Sequence, residues 1–408
     1  HSDAAVRQAM ITQMNSMPFA HSGFFTTDVM EKLADKLTSN APGDLNHVYF
    51  LSGGSEAVEA AIKLARQYFL EAGQPNKQHF IARRQSYHGN TLGALSAGGN
   101  QFRRAPYEPL LMDVDHISPC YAWRDQRVSE TETDYGLRVA DELEDAILAR
   151  GPETVAAFIV EPVVGATLGA VTPVPGYFKR IREICDRYGV LLIMDEVVTG
   201  FRVHPGGAQG LLDVKPDLTT LAKILAGGLP GGAVVGRADI LAHLDFKAAA
   251  DKDFEKIHHP GTFNGNPLSA AAGTKTLEII ANSDACAKAD AFGQELRVKL
   301  NESFKRAGVA WAAYGQQANF FVFMNATGLA IDPNNFDPLS VPYQDLKAKP
   351  PGLMNKLRLA LLIGGVDING AGAGVISATH GADDMDQTVA AFEAAVAMLA
   401  AEESLPRL

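Results

Sequence analysis

The most constraining stretch of the chain is Val190-Leu191-Leu192-Ile193-Met194, an unbroken apolar run that ends in two carboxylates, Asp195 and Glu196. A run without polar alternation suits a parallel strand covered on both faces. Open sheets built from such strands bind ligands at the strands' carboxyl ends, so Asp195 is expected to face a crevice. A second, β-leaning run, Leu218-Thr219-Thr220-Leu221-Ala222, ends on Lys223 and passes into Gly227-Gly228-Leu229-Pro230-Gly231-Gly232. A buried lysine loses its proton easily enough to act as an amine nucleophile. Alone, either residue is better read as part of a Rossmann-like strand with a surface lysine. The joined pattern favours a site.

The Asp-Glu-Val-Val-Thr-Gly-Phe-Arg segment from Asp195 to Arg202, the run into Lys223 and the Gly-Gly-Leu-Pro-Gly-Gly turn resemble the core of class III pyridoxal-phosphate aminotransferases. The resemblance implies a fold type I α/β architecture: a large domain with a mostly parallel, doubly wound sheet, and a smaller α+β domain. It implies that Asp195 pairs with the pyridine nitrogen of pyridoxal 5'-phosphate and that Lys223 forms its Schiff base. A carboxylate there lets the ring accept electrons, and the lysine shuttles a proton between carbon atoms. Val197 matches the small apolar residue that packs on one ring face.

Further motifs follow in family order. Val48 to Leu51 reads as a strand, and Ser52-Gly53-Gly54-Ser55-Glu56-Ala57 turns it into a helix ending near Leu70. Free N–H groups at a helix start suit a phosphate, although Gly-Ser at such a turn is also ordinary capping. The family's Ser-Gly-Ser-Glu-Ala assigns the cofactor phosphate to Gly54 and Ser55, with Gly53 replacing a frequent hydroxyl. Ser86-Tyr87-His88-Gly89 matches an aromatic-His-Gly segment whose ring stacks on the pyridine, a role carried to Tyr87 with His88 secondary. Glu161-Pro162 ends a strand over Val155 to Val160 and matches the Glu-Pro motif, placing a carboxylate near the cofactor; a solvent-facing strand end is the alternative. Gly261-Thr262-Phe263-Asn264-Gly265-Asn266-Pro267 resembles the loop whose threonine reaches the phosphate of the neighbouring subunit. That implies a homodimer with Thr262 contributed across the interface.

Length and composition agree. A chain of 408 residues with 47% hydrophobic content can bury two cores. We expect an N-terminal segment over 1–39 joining the small domain and the dimer interface, a large cofactor domain over 40–275 and a small domain over 276–408. The net charge of −11 argues against nucleic acid and anionic membrane surfaces. No apolar run approaches the roughly 20 residues of a membrane span. Cys120, Cys185 and Cys286 lack metal or redox spacing and read as reduced packing residues, and the adjacent His258 and His259 make a poor metal site. Cytoplasmic localisation is the expectation. The start, His1 to Val6, resembles a stretch some way into family sequences, so a segment that helps wall the substrate pocket is expected to be missing. Coarse reading places helices at Val6–Met17, Asp28–Ser39, Tyr135–Arg150, Gly176–Tyr188, Met354–Ile363 and Asp383–Glu402. Further strands are expected at His79–Ala82, Ala310–Tyr314, Asn319–Met324 and Val375–Ala378, with a loop-rich stretch over Arg103–Arg127.

The implied reaction moves an amino group from an amine or ω-amino acid to a keto acid such as pyruvate, by a ping-pong route through pyridoxamine phosphate. The segments from Asp195 to Gly236 and Gly261 to Pro267 also look like glutamate-1-semialdehyde aminomutase, whereas Ser52 to Arg66 looks more like ω-transaminases. A non-catalytic phosphate or nucleotide binder using the Gly54 turn is the reading from another class. Phe24, in an aromatic loop, and Arg202 are candidates for contact with substrate. From Leu359 to Pro406 there is no Arg or Lys, and the loop Gly365 to Gly374 is neutral apart from Asp367. With no guanidinium fork for a carboxylate there, donors whose reacting amine is not flanked by a carboxylate are expected.

Overall fold

Strands that read as continuously apolar become the middle of a sheet. The computed structural model describes residues 3–164, 171–245, 247, 250–251, 259–402 and 405–408. Its strands are β1 (Leu45–Leu51), β2 (His79–Arg83), β3 (Val114–Ile117), β4 (Val155–Val160), β5 (Leu191–Asp195), β6 (Leu218–Ala222) and β7 (Gly232–Arg237), with β8 (Ala312–Tyr314), β9 (Asn319–Phe323) and β10 (Ala373–Val375) further along. The first seven form one sheet in the order β1-β7-β6-β5-β4-β2-β3. Neighbours from β6 to β3 pair in parallel, and β7 runs antiparallel to both β6 and β1. Every residue of β4, β5 and β6 is buried, which accounts for their lack of alternation. The helix Gly54–Glu71 packs on the sheet through Ala57, Ala60, Ala61, Leu64 and Ala65, small side chains that let it lie close.

The chain divides into two compact units, one of His1–Cys120 with Arg127–Ser283, the other of Tyr121–Gln126 with Asp284–Leu408. The second holds the antiparallel sheet β10-β9-β8 and the helices Ala285–Arg306, Pro351–Ile363 and Ala382–Glu402 around Phe304, Trp311, Val322 and Phe392. The α/β class with a mostly parallel sheet and a smaller α+β unit is therefore as expected.

Three details differ. The Arg103–Arg127 stretch, expected to be loop-rich, contains β3, whose four residues pair with β2 at the sheet edge; so short a segment carries little periodic signal. β10 runs over Ala373–Val375 and shares only Val375 with the expected Val375–Ala378, because Ala373 and Gly374, with no side-chain signature of a strand, pair with Phe321 and Phe320. Residues 1–39 cluster with the larger unit rather than the smaller, where the helix Ala4–Ser16 packs on Pro267–Ala281. His1, Ser2, Gly165, Lys256 and His258 lie outside the described residues. No described helix is long and apolar enough to cross a membrane, and no described group of three or more His, Cys, Asp or Glu could hold a metal ion.

Two buried charges hold the sheet's ends. At the amino ends of β2 and β4, the Lys77 ammonium donates to the carbonyls of Pro152 (3.1 Å), Val155 (2.9 Å), Tyr188 (3.3 Å) and Gly189 (2.9 Å), with the Phe69 ring 5.0 Å away. At the other end, Glu196 accepts from the backbone N–H groups of Ala208 (2.9 Å) and Gln209 (2.5 Å) and from the Thr199 hydroxyl, folding the segment after β5 back on itself. A Cβ on Gly207, whose φ is +73°, would sit 2.7 Å from the Glu196 carboxyl, so the turn closes there only with glycine. Burial pushes the Glu196 carboxyl up to about 7, against the pull of these hydrogen bonds.

Replacing Lys77 with Met takes the donor from one buried and three partly buried carbonyl contacts, and we expect a loss of about 3 kcal/mol in urea unfolding. A loss below about 0.5 kcal/mol would show the cage to be energetically idle. For Glu196 the folded pKa lies above the ordinary 4.5, so the folded chain binds the extra proton between these values. Its contribution to stability is present at low pH and lost as pH rises from about 4.5 to about 7. Glu196→Gln removes that titration. Wild type should lose stability relative to the variant across this window as pH rises, and parallel profiles would contradict the assignment.

Candidate active site

Because β2, β4, β5 and β6 are parallel, their carboxyl ends share one edge of the sheet, and the residues just beyond them meet in a cleft of about 320 Å³. Gly54, Ser55, Tyr87, His88, Glu161, Asp195, Val197 and Lys223 all line it. Eight residues spread over positions 54–223 are thus brought together at the strand ends.

Asp195, the last residue of β5, is buried and held from three directions. Its Oδ2 accepts from His88 Nδ1 at 2.7 Å, and its Oδ1 accepts from the Val197 N–H at 3.0 Å and the Thr220 hydroxyl at 3.3 Å. The carboxylate plane is therefore fixed. His88 is itself buried, and its Nε2 has no hydrogen-bond partner among the described residues. Glu161 follows β4 directly; its Oε1 accepts from the Tyr87 N–H at 3.0 Å, and its carbonyl accepts from Arg83 Nη2 at 2.5 Å. Burial raises the Glu161 pKa, His88 lowers it and Asp195 raises it further. The Tyr87 ring carries the Arg103 guanidinium 4.7 Å from its centroid, while its backbone is held by Glu161.

Lys223 occupies the turn out of β6 with φ +52°, a left-handed conformation that costs a non-glycine residue about 1 kcal/mol or more. The side chain reaches solvent through the cleft, yet the walls strip water from its amine. Desolvation holds its pKa below the usual lysine value, Asp195 and Glu161 oppose this, and Arg202 assists. The result is an amine that is both reachable and easier to deprotonate.

The other end of the cleft is the start of the helix Gly54–Glu71. Gly53 supplies no side-chain cap, and among the described residues the N–H groups of Gly54 and Ser55 have no acceptor. Glu56 turns back to accept from the Ser52 N–H at 2.9 Å. A Cβ on Gly54 would lie 2.9 Å from Val197 Cγ1, so the turn sits directly against that side chain. The donor set fits pyridoxal phosphate: uncapped N–H groups and a hydroxyl for the phosphate, a tyrosine and a valine for a flat ring, a fixed carboxylate, and an amine for the aldehyde. The cavity lies within the size range of small-ligand sites, and the unpartnered His88 Nε2 marks a buried polar position at its base.

Three sequence candidates are not among the residues that line the cleft. Thr262 is exposed, in a turn pinned to β1 through Asn264 Nδ2 donating to the Tyr49 hydroxyl at 3.2 Å, and it does not line the cleft of its own chain. Phe24 is 81% exposed beside His21 and Phe25. Arg202 turns its Nε to the Val198 carbonyl at 2.8 Å, and burial lowers its pKa. Sequence reasoning missed Thr220, Arg83, Asn90 and Glu196. A threonine in an otherwise apolar, buried strand needs a partner, so Thr220 carried a usable signal; Asn90 carried none.

Over residues 1–310 the chain matches the aminotransferase class-III family. An uncharacterized aminotransferase of Schizosaccharomyces pombe is 40% identical over 311 residues, covering 74% of this chain and 66% of the relative. The chain spans between 55% and 66% of the length of the fungal and mycobacterial relatives it matches. A thermostable (S)-enantioselective ω-transaminase from Thermomicrobium roseum superposes with a TM-score of 0.81 at 30% identity, over 98% of this chain and 85% of that one. The ω-transaminase of Pseudomonas jessenii, solved in complex with PMP, gives 0.82 at 27% identity over 97% and 85%. Class III aminotransferases depend on pyridoxal phosphate. With the family match, the shared fold and the converged motifs, this chain belongs to the class III aminotransferases.

Proposed function

We propose that the chain transfers an amino group from a primary amine or ω-amino acid to a small keto acid such as pyruvate, using pyridoxal phosphate in the cleft at the ends of β2, β4, β5 and β6. The observation that carries this reading is the pairing of a strained, partly desolvated Lys223 with a triply held Asp195 on the walls of one cleft. Bound pyridoxal phosphate supplies an aldehyde that captures amines and a ring that accepts electrons from the substrate carbon.

The chain's own groups do the rest. Gly54 and Ser55 hold the phosphate with N–H and O–H donors at the helix start, where the dipole favours an anion. Tyr87 and Val197 confine the ring from its two faces. Asp195 presents a carboxylate whose orientation is set by His88, Thr220 and its own turn. Lys223, whose lowered pKa eases loss of its proton, provides the Nζ that would take a proton from one carbon and return it to the next. Glu161, with a raised pKa, retains a proton to higher pH than an exposed glutamate and stands beside Asp195 and His88.

Two copies of the chain form the working unit in this proposal, with Thr262 completing the partner's phosphate site. The exposure of Thr262, and its position outside the cleft of its own chain, support this reading. We place the enzyme in the cytoplasm. Among the described residues lining the cleft, Lys223 is the only lysine or arginine, which supports donors without a carboxylate next to the amine. Burying an unpaired carboxylate costs on the order of several kcal/mol, enough for strong discrimination.

Asp195→Asn should still bind the cofactor but lose about a hundredfold or more in turnover; near-wild-type turnover would reduce Asp195 to a strand-end residue. For the substrate class, the cofactor's visible absorbance should bleach faster with an ω-amine than with matched α-amino acids. If common α-amino acids other than alanine outrun every amine, the neutral-cleft reading is wrong. Mixing inactive Lys223→Ala and Thr262→Ala chains should restore part of the activity through hybrid dimers, and a fully active monomer by light scattering rules out the shared site.

A further inference from the structure

The phosphate end of the cleft contains a proton-counting problem. Gly53 leaves Ser55 as the side-chain hydroxyl of the turn's first helical residues, and that hydroxyl is already engaged. Ser55 Oγ donates its single proton to Asn90 Oδ1 at 2.9 Å and accepts from the Asn90 N–H at 3.1 Å. A hydroxyl has one proton and two lone pairs, so in this arrangement Ser55 offers an anion no donor. The contact is not incidental. Gly89, at φ +144°, brings the backbone of His88 to Asn90 directly over Ser55, and a Cβ on Gly89 would lie 2.5 Å from Ser55 Oγ. Asn90 is exposed at the cleft's rim, so its amide can rotate.

We propose that Asn90 is a positioning residue that sets the polarity of the Ser55 hydroxyl and so gates phosphate binding. Turning the amide by half a rotation about Cβ–Cγ exchanges two atoms of nearly equal size. Nδ2 then donates to Ser55 Oγ, the backbone N–H of Asn90 continues to donate, and the Ser55 proton is released toward the anion. In one state Ser55 faces the cleft as an acceptor; in the other it joins the N–H groups of Gly54 and Ser55 as a donor. An amide suits this role because it can both accept and donate. A carboxylate can only accept, and holds the Ser55 proton permanently.

The inference rests on the cofactor reading above, and the test separates the two. Dissociation constants of the cofactor-free chain are measured by fluorescence quenching for pyridoxal 5'-phosphate and for pyridoxal, which lacks the phosphate. Asn90→Asp should weaken pyridoxal phosphate at least tenfold and pyridoxal less than twofold. Asn90→Ala and Asn90→Leu, which leave the Ser55 proton free, should stay within threefold of wild type for both compounds. On a Ser55→Ala background, Asn90→Asp should cost less than threefold, because its effect runs through the hydroxyl rather than through charge at a distance. The proposal is overturned if Asn90→Asp binds pyridoxal phosphate within twofold of wild type, or weakens pyridoxal equally. An unreduced loss in the Ser55→Ala background also overturns it, as does an equal loss with Leu. A wild-type chain that binds pyridoxal but shows no preference for its phosphate overturns the Asn90 proposal while leaving the ring site standing. One that binds neither overturns the cofactor reading, and this proposal with it.

Discussion

The site depends on a carboxylate at the end of a strand with no exposed residue. Asp195 is delivered by β5, and its position is over-determined: His88 comes from the loop after β2, Thr220 from the neighbouring strand β6, and the Val197 N–H from the next turn. A polar group in such a place is tolerated only when its hydrogen bonds are made, and each of the three donors comes from a different segment. Moving any one of those segments loosens the carboxylate. The sheet's parallel order is what makes the convergence geometrically available.

Lys223 shows the complementary device. The β6 backbone is extended to Ala222 and then switches to a left-handed conformation at the lysine, followed by glycines at 227 and 228 with positive φ. The turn throws the side chain back over the strand ends rather than along them. A Cβ on Gly227 would meet the Ala272 carbonyl at 2.6 Å, so the helix Pro267–Ala281 closes on this turn from below. Local strain at Lys223 is thus held in place by tertiary packing, the usual circumstance in which strained residues persist at functional sites.

Much of this architecture was legible in the sequence because it was written in long, one-sided signals. β4 was located to the residue from its apolar run, and the helix Gly54–Glu71 within a residue of its expected end. Short or small-residue strands were not: β3 and β10 have too few side chains to show a period. Motif order picked out residues that line one cleft, yet the groups that orient them were not legible. Arg83 contacts Glu161 through a backbone carbonyl, Asn90 contacts Ser55 across 35 positions, and Glu196 folds its own turn through backbone N–H groups. Such contacts depend on strand order and backbone path, neither of which a local pattern encodes.

A lowered lysine pKa does not by itself mark a site. Burial pushes both Lys347 and Lys349 in the smaller unit down to about 8, and Lys77 is lowered within its carbonyl cage. What distinguishes Lys223 is its company: a fixed carboxylate, an aromatic wall and an uncapped helix start around one cavity. The most direct measurement is therefore borohydride reduction of the chain loaded with pyridoxal phosphate, followed by peptide mapping of the stabilised adduct. The account predicts a single stoichiometric label on Lys223, lost in Lys223→Ala and not transferred to Lys347 or Lys349. Label centred on any other lysine, or none at all, would contradict it.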